Sequence, residues 1–262
     1  MVATIQVLIS SLVERSMDGM AVGFFLIGTF IGGVTSGLAG FAMGLVVSAI
    51  WLHIITPIQT ATLIVGYGFL TQSYAIWQLR RSLSWRNVAP LIIGGSFGAP
   101  IGATLLTYIN PAYLRIGVGV VLVLYSTYSL ARPALKAVKS GVPADVGIGF
   151  LNGLLGGLTG LTGIIATIWC QLHGWPKDVQ RTVFQPVNLA AIVVSAVSLS
   201  IAGAITTETI KLYLLGLPLL LVGLWSGFKL YGKLDDEAFR RVILILLLVS
   251  GPTLAIPVSI FR

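Results

Sequence analysis

Arg181, Gln185 and Asn188 are spaced so that one face of a helix carries all three. A guanidinium can give an oxyanion two parallel hydrogen bonds, so this face is a candidate anion seat. Pro186, beside it, loosens a helix by removing a backbone donor. The plainer reading is that Arg181 sits at an interface and caps a neighbouring helix. Two glycine-rich stretches are the second candidate. One runs Gly32-Gly33-Val34-Thr35-Ser36-Gly37-Leu38-Ala39-Gly40, the other Asn152-Gly153-Leu154-Leu155-Gly156-Gly157-Leu158-Thr159-Gly160-Leu161-Thr162-Gly163. If they break helices, bare N–H groups at the new N-termini favour a negative solute. Thr35, Ser36, Thr159 and Thr162 would add hydroxyl donors around Gly37, Gly40, Gly157 and Gly160. Otherwise the glycines serve close helix packing, and the hydroxyls bond back to their own helices. His53 and His173 follow the two stretches at matching places and are candidates to carry a coupling proton. Their plainer role is to bond backbone or water. Gln72 is a lesser polar counterpart.

Several chemistries have no residues to support them. No Asp or Glu lies in the middle of an apolar segment, which argues against a buried-carboxylate relay and an aspartyl protease. There is no His-Glu-x-x-His, and two histidines alone do not build a typical zinc site. Neither a Gly-x-Ser-x-Gly elbow nor a Walker loop is present. We therefore expect no catalytic residue, no metal and no cofactor, and any transport would draw on gradients or a partner. Cys170 is the one cysteine; it cannot make an internal disulfide and reads as packing.

These residues sit in a chain of 262 residues, 56% hydrophobic and only 9% charged, with a mean hydropathy of +0.97. Soluble domains carry about 25% charged residues. So few charges cannot cover a polar surface, which excludes a soluble enzyme, a disordered protein and a nucleic-acid binder working in water. The expected class is all-α, a polytopic helical membrane protein in contact with the lipid bilayer. The formal charge of +8 fits the cytoplasmic Lys and Arg excess of such proteins, or an anionic substrate field.

Charges and prolines divide the chain into apolar segments at 19–52, 57–79, 88–108, 112–131, 146–172, 182–204, 210–228 and 241–261. Residues 1–18 lack the basic leader of a secretory signal and carry an apolar stripe suited to a helix on the membrane surface. The first and fifth segments, 19–52 and 146–172, exceed one crossing and fall short of two. Phe30, Gly33, Gly37, Leu38 and Gly40 recur as Phe150, Gly153, Gly157, Leu158 and Gly160; Ile50-Trp51 recurs as Ile168-Trp169. Gly98, Gly102, Leu105 and Arg115 recur as Gly223, Gly227, Leu230 and Arg240. This order divides the chain into an interfacial segment (1–18), a first repeat (19–131), a linker (132–144) and a second repeat (145–262). If all eight segments cross, Lys and Arg split nine to seven and no orientation is preferred. If segments one and five enter and return on one side, the split is twelve to four, as the positive-inside rule expects. Each repeat then crosses an odd number of times, and the two are inverted in the membrane.

The order of motifs resembles the sulfite exporter TauE/SafE family of membrane transporters. It is carried by the glycine-rich first segment, Pro57, Leu79-Arg80-Arg81, Leu83-Ser84-Trp85-Arg86 and Gly94-Gly95-Ser96-Phe97-Gly98-Ala99-Pro100-Ile101-Gly102. Trp175-Pro176-Lys177-Asp178-Val179-Gln180-Arg181 and Val183-Phe184-Gln185-Pro186-Val187-Asn188 extend it, so it covers about 20–260. The resemblance implies a bacterial inner-membrane carrier for sulfite, organosulfonates or related small anions. The family's first segment often reads Gly-Ile-Gly-Gly-Gly. Here Gly40-Phe41-Ala42-Met43-Gly44 stands in that place, and its three larger residues put the family's substrate outline in doubt. The expectation is a secondary transporter working by alternating access, a homodimer being open. An anion channel and a membrane-embedded enzyme subunit are the alternatives.

Overall fold

The computed structural model describes residues 19–41, 43–105, 111–131, 138, 140–159, 163–201 and 203–255. The surface helix expected at 1–18 and most of the linker lie outside them. Ten α-helices form among the described residues, with no strand. In chain order they are α1 (Gly19–Ala39), α2 (Met43–Trp51), α3 (Pro57–Gln78), α4 (Trp85–Leu105), α5 (Pro111–Ala131), α6 (Val142–Thr159), α7 (Ile164–Leu172), α8 (Lys177–Ile201), α9 (Thr207–Tyr231) and α10 (Asp236–Ala255). Three of them, α1, α8 and α9, are long and apolar enough to cross a membrane by length and composition. Large apolar side chains face outward along several helices, among them Phe97, Leu124, Val194 and Val249. Water would penalise such a surface, whereas lipid does not.

Local chemistry sets the helix ends. Thr56 and Gln59 form a reciprocal capping box ahead of Pro57, which sits where a missing N–H costs nothing. Thr206 caps α9 by accepting from the Thr209 N–H at 3.2 Å. Two expected boundaries move by five residues. α10 begins at Asp236, not 241. α8 begins at Lys177, not 182, directly after Pro176. Charges mark where an apolar run stops, but Lys177, Asp178 and Arg181 are all compatible with a helical turn.

The first and fifth segments are each a long helix followed by a short one that folds back on it. Gly40 ends α1 at φ +86°, its N–H bonded to the Ser36 carbonyl at 2.9 Å. Gly163 opens α7 at φ +87°. Only glycine takes this left-handed conformation cheaply, so both reversals need it. In the first hairpin the Trp51 ring stacks on Phe25 at 5.2 Å and donates to the Phe25 carbonyl at 3.3 Å. Further along, Gly32 lies under Val47, leaving no room for a Cβ. Partners that descend on one helix as they rise on the other make α1 and α2 antiparallel. The second hairpin has the same sense: Trp169 Nε1 donates to Asp145 Oδ1 at 2.9 Å, and the Ala166 N–H to Asn152 Oδ1 at 3.3 Å.

The first helix of each hairpin packs on a helix from the other half of the chain. Gly33 and Gly37 of α1 meet Gly223 and Gly227 of α9, and a Cβ on any of the four would lie 2.3–2.6 Å from the facing backbone. Gly149 and Gly153 of α6 meet α4 at Leu91 and Gly95 equally closely. Such small-residue seams bring backbones into van der Waals contact, the main attraction between helices in lipid. Both pairs run parallel. α3 and α8 run antiparallel, with Gly68 against Ile192 and Ser82 against Thr182. α5 and α10 also pack together, and Arg240 Nη2 donates to the Ser129 carbonyl at 2.8 Å. The chain reverses in the short turns between α3 and α4 and between α8 and α9, so α1 and α6 point in opposite directions.

Candidate functional site

Residues 180–188 of α8 are buried without interruption, although five of the nine are polar or charged. An ordinary surface helix exposes one side. This stretch is instead enclosed by both hairpin tips, α3, α4 and α9, and so it places its polar groups where the two breaks arrive.

Arg181 is fully buried. Its Nη1 donates to the Gly37 carbonyl at 2.8 Å and its Nη2 reaches the Ser36 carbonyl at 3.4 Å. The guanidinium carbon lies 4.5 Å from the centroids of both the Phe228 and Tyr231 rings. With its amide oxygen turned toward Arg181, Gln185 accepts from Nη2 at 2.7 Å and from Nε at 3.0 Å. Arg181 thus caps the C-terminal end of α1, where unpaired carbonyls and the helix dipole favour a cation. That is the plainer reading of the sequence, and it coexists with a buried positive charge. The ion pairs among the described residues are Lys211–Glu208 and Arg241–Glu237, both exposed, so no carboxylate pairs with Arg181. Asp178, one turn away, accepts from the Tyr231 hydroxyl.

The first tip is closed by side chains. Gln72 Nε2 donates to the Gly40 carbonyl at 2.8 Å. A Cβ on Gly40 would lie 2.8 Å from Gln185 and 3.0 Å from Phe184. The amides of Met43 and Gly44 open α2 beyond this point. At the second tip, Asn188 lies over Gly163, its Oδ1 2.0 Å from where a Cβ would be. That oxygen has no hydrogen-bond partner among the described residues. Gly163 gives α7 no side-chain cap. Asn152 takes the Ala166 N–H and the Gly163 carbonyl takes that of Thr167. The first two amides, of Ile164 and Ile165, have no intrahelical acceptor by the geometry of a helix start.

The other expected residues divide. Ser36 is buried, and its carbonyl serves both Gly40 and Arg181. Thr35 donates its hydroxyl hydrogen to its own helix, at Ile31 and Gly32, both 3.0 Å away. Gly157 and Thr159 fall in the last turn of α6, without described side chains, and Gly160 and Thr162 lie outside the described residues. His53 is exposed in the turn after α2. His173 ends α7, where Nδ1 meets the Trp169 carbonyl and Nε2 the Ser140 hydroxyl, each at 2.9 Å. Phe228 and Tyr231, which sandwich Arg181, were not among the expected residues. Their spacing on α9 puts both on one face, but nothing in the sequence alone links that face to Arg181. A separate apolar cavity of about 220 Å³ lies between α3, α8 and α9, lined by Leu63, Gly66, Ala196 and Tyr213 among others. Ala196 stands about 22 Å along α8 from Arg181 at 1.5 Å per residue, so this cavity is not the polar cluster.

No curated protein and no solved structure matches the chain. Residues 24–254 match the family Sulfite exporter TauE/SafE, nearly the whole of the sequence. With its apolar outer surface the chain is a membrane protein of a transporter family. A match of this extent, in a chain whose two glycine breaks bracket a buried arginine, means that the protein belongs to the sulfite exporter TauE/SafE family.

Proposed function

We propose that the protein is a secondary transporter that moves a small sulfur-containing anion, sulfite or an organosulfonate, across the bacterial inner membrane by alternating access. The observation that carries this reading is Arg181, a buried cation with no carboxylate partner, held where both hairpin tips meet α8. A buried charge with no ion-pair partner is costly and draws a counter-ion. The tips supply what a sulfur oxyanion needs besides charge: the open amides of α2 and α7, and the carboxamides of Gln185 and Asn188.

Both hairpins re-enter, each from its own side, and the two repeats are inverted. The opposite directions of α1 and α6 support this, as do the eleven Lys and Arg that fall on one side once the buried Arg181 is left out. The linker side is then cytoplasmic. Transport moves one hairpin-bearing unit against the other around α8.

Flux of sulfite and methanesulfonate into proteoliposomes tests the site. Because Arg181 also caps α1, Arg181→Ala is expected to lose both fold and flux. Arg181→Lys keeps the charge and loses the fork, so it should stay folded while flux falls about tenfold or more, the equivalent of ~1.4 kcal/mol. Unchanged flux in a folded Arg181→Lys protein would remove the guanidinium from the anion seat.

A further inference from the structure

The base of the second hairpin carries a hydrogen-bond chain that the anion seat does not use. It runs from the Trp169 carbonyl to His173 Nδ1 at 2.9 Å, from His173 Nε2 to Ser140 Oγ at 2.9 Å, and from Ser140 Oγ to Asp145 Oδ1 at 3.3 Å. Trp169 Nε1 also donates to that carboxylate oxygen at 2.9 Å. Counting hydrogens decides what the chain can hold. The Trp169 carbonyl only accepts, so Nδ1 must carry a hydrogen. Ser140 has one hydroxyl hydrogen. If imidazole is neutral, that hydrogen goes to Nε2 and Asp145 loses it. If Nε2 is protonated, it donates to Ser140, Ser140 donates to Asp145, and every bond in the chain is made.

Three further features favour the cation. His173 is the C-terminal cap residue of α7, where the helix dipole is negative. Its ring lies between two indoles, 4.8 Å from Trp169 and 4.5 Å from Trp175, within cation–π range. The cationic groups of α8 nearby in sequence are occupied elsewhere. Lys177 donates to the Tyr231 and Leu234 carbonyls, and Arg181 caps α1. Asp178 is bound by Tyr231, Arg86 is exposed at the start of α4, and Cys170, also on α7, is buried and adds no charge.

We propose that His173 is a proton-binding site whose occupancy fastens the base of the second hairpin. Water on the linker side supplies the proton, and the Nε2 lone pair takes it. The Ser140 hydroxyl then turns its hydrogen from Nε2 to Asp145, which stays a carboxylate. Protonation joins the segment before α6, the first turn of α6 and the end of α7; the Val138 N–H to Leu172 carbonyl bond at 2.9 Å already holds that segment to α7. α7 is a single nine-residue helix, about 13 Å long, with His173 just past one end and Gly163, under Asn188, at the other. Binding a proton at the base therefore acts on the amides that face the anion seat. The link to transport rests on the function proposed above; the proton site does not.

The test uses the full chain in lipid nanodiscs without substrate. An imidazolium against indole rings quenches their emission, so wild-type tryptophan fluorescence should fall on acidification. His173→Gln should lose the transition, and His53→Gln should keep it. Amide exchange across 164–172, corrected for intrinsic rates, should be about two- to tenfold slower at pH 5.5 than at pH 8 in wild type and equal in His173→Gln. A transition that survives in His173→Gln, or wild-type exchange that ignores pH, overturns the proposal. Failure of the transport reading would show instead as absent methanesulfonate flux at both pH values.

Discussion

The two hairpins share a plan and differ in what holds them together. In the first, Trp51 is fully buried, stacked on Phe25 and set in an apolar cluster with Met43, Val47, Leu63 and Tyr67. Its tip is closed by Arg181 and Gln72. In the second, Trp169, which matches Trp51 in the sequence, is only half-buried and bonds a carboxylate. Asn152 holds the short helix by one hydrogen bond, and the buried amides of Asn188 and Gln171 include atoms without partners among the described residues. Apolar packing has one good arrangement and loses energy with any shift. A few polar links can exchange partners at little cost. The first hairpin is thus a wall fixed by apolar packing, whereas the second combines the apolar contacts of Ala166 and Cys170 with polar links that can exchange.

That contrast can be broken by substitution. The largest effect falls on the seams common to both hairpins. Gly98→Ala puts a Cβ 2.1 Å from the Phe150 carbonyl, and Gly227→Ala one 2.3 Å from that of Val34. Neither variant should yield folded, monodisperse protein on size exclusion, while Gly117→Ala, with nothing within 4 Å, should behave as wild type. Next, Trp51→Ala should cost about 3–5 kcal/mol in a denaturant titration of the purified protein. If Trp51→Ala were as mild as a change at Trp169, the fixed wall would be wrong. Asn152→Ala leaves the Ala166 N–H buried and unpaired, at about 1–3 kcal/mol, and should raise amide exchange in α7 but not in α2. Smallest, Trp169→Phe should lose about 1 kcal/mol with its bond to Asp145 and keep the hairpin folded.

Much of this arrangement was legible in the sequence. Apolar runs located the helices because lipid demands length and hydrophobicity. The glycine clusters located both reversals because no other residue takes φ near +86° cheaply. The spacing of Arg181, Gln185 and Asn188 marked the face that is now enclosed. Contacts between distant parts were not legible. Phe228 and Tyr231 reach Arg181 only because α9 is zipped to α1, and Ser140 meets His173 only because α7 folds back. Nor does spacing choose between a hydroxyl that faces a solute and one that bonds back: Thr35 does the second, its hydrogen serving its own helix. The start of α8 was misplaced because charge was used as a boundary where proline was the true one.

The pairing of α1 with α9 has a consequence for how the molecule is made. A ribosome delivers α1 long before α9, and the glycine flank at Gly33 and Gly37 waits, bare, while the segments between them are synthesised. The nascent amino-terminal portion cannot reach its final shape in the bilayer by itself. It must idle against lipid, or against an insertase, until Gly223 and Gly227 emerge. Assembly is committed late, and a message truncated before α9 leaves an unfinished intermediate for quality control to remove.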